Sequence, residues 1–329
     1  MREVKIAAVG VGGAGCNAIT RLYKSGIKSA VTIALNTDAL HLTKVTHAHK
    51  KLLIGKEFTR GLGAGGNPEI AEKCAQTSYE EIKNTLSENE LVFISAGMGG
   101  GTGTGAAPIV AQAAKDIGAI TIGVVTYPFK LERSRIANAL KGIERMSKVC
   151  DTLIVIDNNK LLSYAPNLPV DKAFELADNV MNRAVKGISD SIVLPSLIPM
   201  DYADLRAIVQ GKGGLAMISL GEGEGPNRVE DAVKNTLYHP LLEVDYEDAH
   251  GALIHIEGGE DLTLGEAVKI GEGITESLRE DANVKLGARI NDNMKDKIYV
   301  TAVIVGVKSP SILGTGGKKD ENITSIDVL

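Results

Sequence analysis

Seven consecutive positions from Gly99 to Gly105, GGGTGTG, carry only glycine and threonine, between a short apolar run, Leu91–Ser95, and a helix-compatible stretch, Ile109–Asp116. Glycine weakens the interior of either regular element, so its use here is close approach of bare backbone to a ligand. Several N–H groups can then converge on phosphate oxygens, with the hydroxyls of Thr102 and Thr104 as added donors. Pro108 suits the first turn of the helix that follows. A second loop, Gly10–Ala18, places Gly10, Gly12 and Gly15 in GxGxxG spacing between the Val4–Val9 run and the helical Asn17–Tyr23. That pattern aims N–H groups and a helix N-terminus at a pyrophosphate. A third, Gly61–Pro68, supplies Gly63, Gly65, Gly66 and Asn67, expected to close over a terminal phosphate. Three such loops imply a triphosphate. No GxxxxGK[ST] occurs, so magnesium and backbone donors are expected to balance the charge in place of a phosphate-loop lysine.

Around these loops, Val31–Leu35, Ile120–Val125 and Leu153–Ile156 are brief β-branched runs, and Ser134–Met146 has helical spacing. Alternation of this kind predicts an α/β fold with a doubly wound parallel, Rossmann-like sheet. From Val170 to about Ser191 one long helix is predicted. Its wide apolar face holds Ala173, Phe174, Leu176, Ala177, Val180, Met181, Ala184, Val185 and Ile188, and is expected to lie buried between two layers. Strands at Leu215–Leu220, Gly251–Glu257 and Lys297–Val307 then mark a smaller α+β domain, and Ser309–Leu329 reads as a flexible tail. The 329 residues agree with a prior of about two domains.

Composition excludes several classes. Lys and Arg total 36 against 41 acids, and aromatics are 4% with no Trp, which argues against a nucleic-acid reader. No stretch approaches a membrane span, and MREVKIAAVG shows no leader pattern, so a cytoplasmic protein without direct membrane insertion is expected. Cys16, Cys74 and Cys150, with no CxxC pair, read as buried apolar residues, and no side-chain metal site is expected.

The motifs GVGGAGCNA, LNTDA (Leu35–Ala39), TRGLGAGGNPE, GMGGGTGTGAAP, VTYPF (Val125–Phe129), AFELADNV (Ala173–Val180) and MDYAD (Met200–Asp204) occur in family order. Together they resemble the FtsZ/tubulin superfamily of self-assembling GTPases, and within it the prokaryotic cell-division family FtsZ, archaeal in type, from Val4 to about Pro310. The resemblance implies nucleotide contacts at Gly12, Gly13, Ala14, Gly15, Asn17 and Arg21, at Gly63, Gly65, Gly66 and Asn67, and at Gly99, Gly100, Gly101, Thr102, Gly103 and Thr104. It implies a ribose contact at Glu132 with Arg135 or Arg133, the family spacing being one residue longer than this chain's. For the base it implies Asn158, Phe174 and Asp178. The chemistry agrees, because guanine presents N1–H and an exocyclic amine on one edge and a carboxylate accepts both, whereas adenine has the opposite polarity there. The implied cofactors are GTP and GDP, with magnesium held mainly by phosphates and water.

The resemblance also implies that Asp201 and Asp204 act on the nucleotide of a neighbouring copy in a head-to-tail homopolymer; read alone, two aspartates at a helix start are helix caps. Pro199 stands where the family usually has Asn, which implies slower or altered hydrolysis and leaves open a binding filament protein with a cell-shape role. Residues 1–168 would form the GTP-binding domain, 169–194 the connecting helix, 195–308 the activation domain and 309–329 the tail. In that tail, Ile323–Leu329 would dock on a membrane adaptor at the mid-cell division site beneath the membrane. A nicotinamide-dependent dehydrogenase with Asp38 at its ribose competes on the GxGxxG loop alone.

Overall fold

The aliphatic runs become the strands β1 (Ile6–Val11), β2 (Val31–Asn36), β4 (Leu91–Gly97), β5 (Ile120–Tyr127) and β6 (Thr152–Asp157) of one parallel sheet, with β3 (Lys50–Leu53) at its edge. The computed structural model describes residues 4–160, 167–209, 216–238, 246, 249–276, 278–292 and 294–307, so the expected tail and Ile323–Leu329 lie outside the described residues. The strand order is β3-β2-β1-β4-β5-β6. The chain thus winds one way from β1 and the other way from β4, which is the predicted doubly wound architecture. β1 is buried along its whole length, because helices cover both faces of the sheet.

One face is covered by α3 (Pro68–Thr77), α4 (Tyr79–Leu86), α5 (Thr102–Asp116) and α6 (Arg133–Val149), whose Ala75, Ile82, Leu86, Val110 and Ile143 pack on Val9, Val92 and Ile94. α2 is the short turn Lys56–Thr59. The other face carries α1 (Gly12–Lys24) and the long helix α7 (Val170–Val193). Val185 and Ile188 of α7 are buried in a cluster that continues through Met200, Leu205 and Ile208 of the next segment to Ile218, Leu253 and Val303. One apolar core therefore joins the first sheet, the long helix and the second sheet.

That second sheet is mixed, in the order β7 (Ala216–Glu224), β10 (Lys297–Val305), β8 (Gly251–Gly258), β9 (Asn283–Ile290). α8 (Tyr202–Val209) precedes it, and α9 (Arg228–Leu237) and α10 (Leu264–Thr275) pack on its far face through Ala232, Ile270 and Ile274. Cys16, Cys74 and Cys150 are buried and free, as expected.

The structure corrects several boundaries. α5 begins at Thr102, so Pro108 lies inside the helix instead of in its first turn. The reason is packing at the helix start: a Cβ on Gly105 would lie 2.0 Å from the Pro68 carbonyl oxygen. This close seat on α3 offsets the hydrogen bond that Pro108 removes. β3 and β9 were not foreseen. Phe174 is 41% exposed rather than part of a buried stripe, and the side chains of Ala173, Ala177, Val180, Met181 and Ala184 lie outside the described set.

Candidate functional site

β1 and β4 are neighbours whose following loops diverge to opposite faces, and a crevice outside their carboxyl ends is where open α/β sheets bind ligands. Here it is a cleft of about 670 Å³, lined by Gly13, Ala14, Asn17 and Arg21 of the first loop and α1, and by Gly100, Gly101, Thr102 and Gly103 of the phosphate loop. Glu132, Arg135, Asn158, Phe174 and Asp178 complete it from the far side. Thirteen predicted residues, scattered over 166 positions of sequence, thus face one cavity.

The loops meet through missing side chains. Gly12 has φ +75°, and a Cβ there would lie 2.8 Å from the Gly103 backbone nitrogen, so glycine holds the two N–H-rich turns together. Thr102 hydrogen-bonds the Thr37 hydroxyl at 2.8 Å. With α5 starting at Thr102, which lines the cleft, the positive end of a fifteen-residue helix lies at this end of the cleft, an arrangement suited to an anion.

The opposite end carries the acids. Asn17 and Arg21 are one turn apart on α1, and Arg21 ion-pairs with Asp178 of α7. Burial pushes the Asp178 carboxyl up to about 6, desolvation outweighing the attraction of Arg21. Asn158 Oδ1 is buried with no hydrogen-bond partner among the described residues, an acceptor facing the cleft. Phe174 meets Phe129 edge to face at 5.8 Å between centroids, which forms an apolar shelf beside Asp178. Glu132 pairs with Arg135 at 2.5 Å and accepts from the Phe129 N–H at 3.1 Å. Of the two candidate arginines, Arg135 lines the cleft and Arg133 does not.

Other predicted residues lie elsewhere. Thr104 is buried, and its hydroxyl accepts the Gly99 N–H at 2.8 Å, so it braces the phosphate loop from behind instead of lining the cleft. Gly15 packs beneath β4 and Gly99 against Arg135. Gly65, Gly66 and Asn67 line an adjoining cavity with Lys141 and Arg145, and Gly63 sits against Asp38. Asn67 caps α3, accepting from Glu69 N–H at 2.8 Å, and its backbone backs onto Gly101. Asp38 accepts the His41 N–H at 2.9 Å and does not line the cleft, which removes it as a ribose acceptor. Ser95, Met98, Thr126, Pro128 and Ile156 line the cleft and were missed; their position at strand ends was the available signal.

Asp201 and Asp204 are outside the cleft as well. They form a reciprocal cap at the start of α8, the Asp204 N–H donating to Asp201 Oδ1 at 2.7 Å and the Asp201 N–H to Asp204 Oδ2 at 3.2 Å. Within one chain they behave as helix caps.

Fold and cleft define the class: a nucleotide-binding α/β protein joined through a long helix to a second, mixed sheet. Residues 5–166 match the model of the Tubulin/FtsZ family, GTPase domain, and residues 214–308 that of the FtsZ family, C-terminal domain. The chain is 55% identical over 327 residues, 98% of its length and 86% of the relative's, to cell division protein FtsZ 2 of Methanocaldococcus jannaschii. It is 49% identical over 317 residues, 96% of its length and 80% of the relative's, to cell division protein FtsZ 2 of Halobacterium salinarum. Among solved structures, an FtsZ dimer of M. jannaschii superposes with a TM-score of 0.88 at 46% identity, covering 97% of this chain and 96% of that one. A GTPγS-bound CetZ2 protofilament of Haloferax volcanii, at 21% identity over 94% of this chain and 95% of that one, shares the fold with a TM-score of 0.79. The chain belongs to the FtsZ family, and it is a GTPase.

Proposed function

We propose that the protein assembles head to tail with copies of itself into filaments that serve cell division, and that each GTP is hydrolysed at the junction of two copies. The observation that carries this reading is the separation of the machinery. The phosphate end of the cleft offers backbone N–H groups and a hydroxyl. The carboxylates among its described lining residues, Glu132 and Asp178, sit at the other end, each engaged by an arginine. Asp201 and Asp204 stand on a separate segment at the edge of the second sheet. Phosphoryl transfer needs a positioned water and stabilised charge. In this reading the nucleotide cleft of one copy supplies the donors, and Asp201 and Asp204 of the next orient the water.

Residues 1–168 would act as the GTP-binding unit, 169–194 as its connection and 195–308 as the activating unit. Among the described residues no group of three His, Cys, Asp or Glu is arranged to hold a metal. Magnesium would therefore enter on the phosphates, with the Thr102 hydroxyl among the groups lining the cleft, and supply charge neutralisation there. No helix of the described residues is long and apolar enough to cross a membrane. Attachment at the division site would fall to an adaptor gripping Ile323–Leu329.

The test is phosphate release from GTP across a series of protein concentrations, with polymer pelleted from the same tubes. Activity per subunit should appear above a threshold and track the pellet; activity independent of concentration would overturn the shared site. A chain lacking residues 323–329 should pellet alike and lose only its recruitment to the membrane in cells, and retained recruitment would dismiss the adaptor peptide.

A further inference from the structure

The segment that carries Asp201 and Asp204 leaves α7, crosses the edge of the second sheet and enters α8, and β9 holds it along this whole path. At the upstream end Arg289 of β9 reaches Asp190 of α7 at 3.4 Å. Next, Ile198 and Ala288 form an antiparallel bridge, each N–H donating to the other's carbonyl at 3.1 Å. Met200 then lies over Gly287, where a Cβ would come within 3.1 Å of its Cε. At the downstream end Lys285 Nζ meets Asp204 Oδ1 at 2.8 Å. Residues 285, 287 and 289 alternate with their neighbours and so share one face of the strand. That face is two cations flanking a glycine, antiparallel to a segment with an acid at each end.

Of these restraints, the Lys285 contact bears on a carboxylate assigned to hydrolysis. Asp204 has two oxygens with different tasks: Oδ2 accepts the Asp201 N–H, and Oδ1 takes the Lys285 ammonium. The ammonium therefore fixes the rotation of the carboxylate about its bond to Cβ, which a single cap bond leaves free. We propose that Lys285 is a positioning residue for hydrolysis, holding Asp204 in the orientation it presents to the nucleotide of the next copy. This rests on the reading of Asp201 and Asp204 as the hydrolytic pair. The charged groups that bear on Asp204 are Lys285 from β9 and Asp201 from its own segment, and Lys285 holds its carboxyl below the usual range. A half-buried ion pair at the molecular surface contributes modestly to stability, so the larger effect is expected in turnover and not in folding.

The experiment compares wild type, Lys285→Met, Lys285→Arg and Asp204→Asn as full-length chains, measuring GTP turnover per pelleted subunit, the KM for GTP, pelleting and thermal melting. Lys285→Met should pellet with an unchanged KM and turn over on the order of tenfold to a hundredfold more slowly, the scale of a misplaced group. Lys285→Arg should recover at least half of the wild-type turnover. Lys285→Met at the wild-type rate beside an inactive Asp204→Asn would overturn this proposal and leave the shared site standing. Asp204→Asn at the wild-type rate would overturn both. If Lys285→Met melts early, Lys285→Arg decides: an arginine variant that pellets yet turns over as slowly as Asp204→Asn removes the positioning role.

Discussion

At Asp178 burial and an ion pair pull in opposite directions, and burial wins, leaving the carboxyl near 6 against an ordinary 3.8. If Asp178 takes the base, as proposed, guanine needs the ionised form, because its N1–H and amine both donate. GTP affinity is therefore expected to be level above about pH 7 and to fall about tenfold per pH unit below 6. For the fold alone the sign is reversed: a raised carboxyl favours the folded chain below about 3.8, and that contribution is lost as the pH rises through 6. At neutral pH the cleft thus holds a carboxylate that costs stability, and in the proposed base site that same charge would serve binding. Asp178→Asn should weaken GTP on the order of a hundredfold, abolish the acid limb and improve xanthosine triphosphate, whose edge presents an acceptor to the amide. A titration with unchanged GTP affinity would remove Asp178 from the base site. That Asn17, Arg21 and Asp178 face one cleft was legible because polar residues in a glycine-rich frame have few other uses. The place of Thr104 behind the loop was not legible, because a hydroxyl that braces a turn looks in sequence like one that binds a ligand.

At the scale of elements, Arg228 at the start of α9 ties two helices together. It is buried, and its guanidinium reaches Glu266 through Nε at 2.7 Å and Nη2 at 2.9 Å, and also Asp261. Glu266 is at the same time the third residue of the capping box with Thr263 that opens α10. Arg228 pulls the Glu266 carboxyl down to about 2 from 4.5, so its stabilisation is complete above about 4.5 and is lost as the pH falls toward 2. Arg228→Met should cost about 2 kcal/mol at pH 6 and flatten the loss of stability between those limits. Thermal melts at pH 6 and pH 3 check this, and equal melting at pH 6 would refute it. Long apolar strands such as β1 and β4 were legible from their runs, but β9 was not. Its sequence, NVKLGARI, sets Lys285, Gly287 and Arg289 on the face that grips the aspartate segment, so the pattern looks like a charged loop. β3 is four residues, KKLL, at a sheet edge, too short to stand out. α5 starts early because glycine packing at its N-terminus outweighs the break signalled by Pro108.

The whole molecule is polar in the structural sense: the cleft opens at the carboxyl ends of the first sheet, while Asp201 and Asp204 sit across the shared core at the edge of the second. If hydrolysis joins the cleft of one copy to the aspartates of the next, each junction uses one half from each partner, and two defective chains can repair each other. Asp178→Asn keeps Asp201 and Asp204 and is expected to lose its hold on guanine; Asp201→Asn with Asp204→Asn keeps the cleft and lacks the two aspartates. Each alone should form GDP slowly. Mixed in equal amounts with GTP and xanthosine triphosphate, they place an intact cleft against intact aspartates at about one quarter of the junctions of a randomly ordered head-to-tail filament. GDP formation should then rise to about a quarter of the wild-type rate at the same total concentration. Sites complete within single chains have no such route, and the mixture would give only the mean of its two slow components. That outcome would sink hydrolysis in trans while leaving the nucleotide cleft as described.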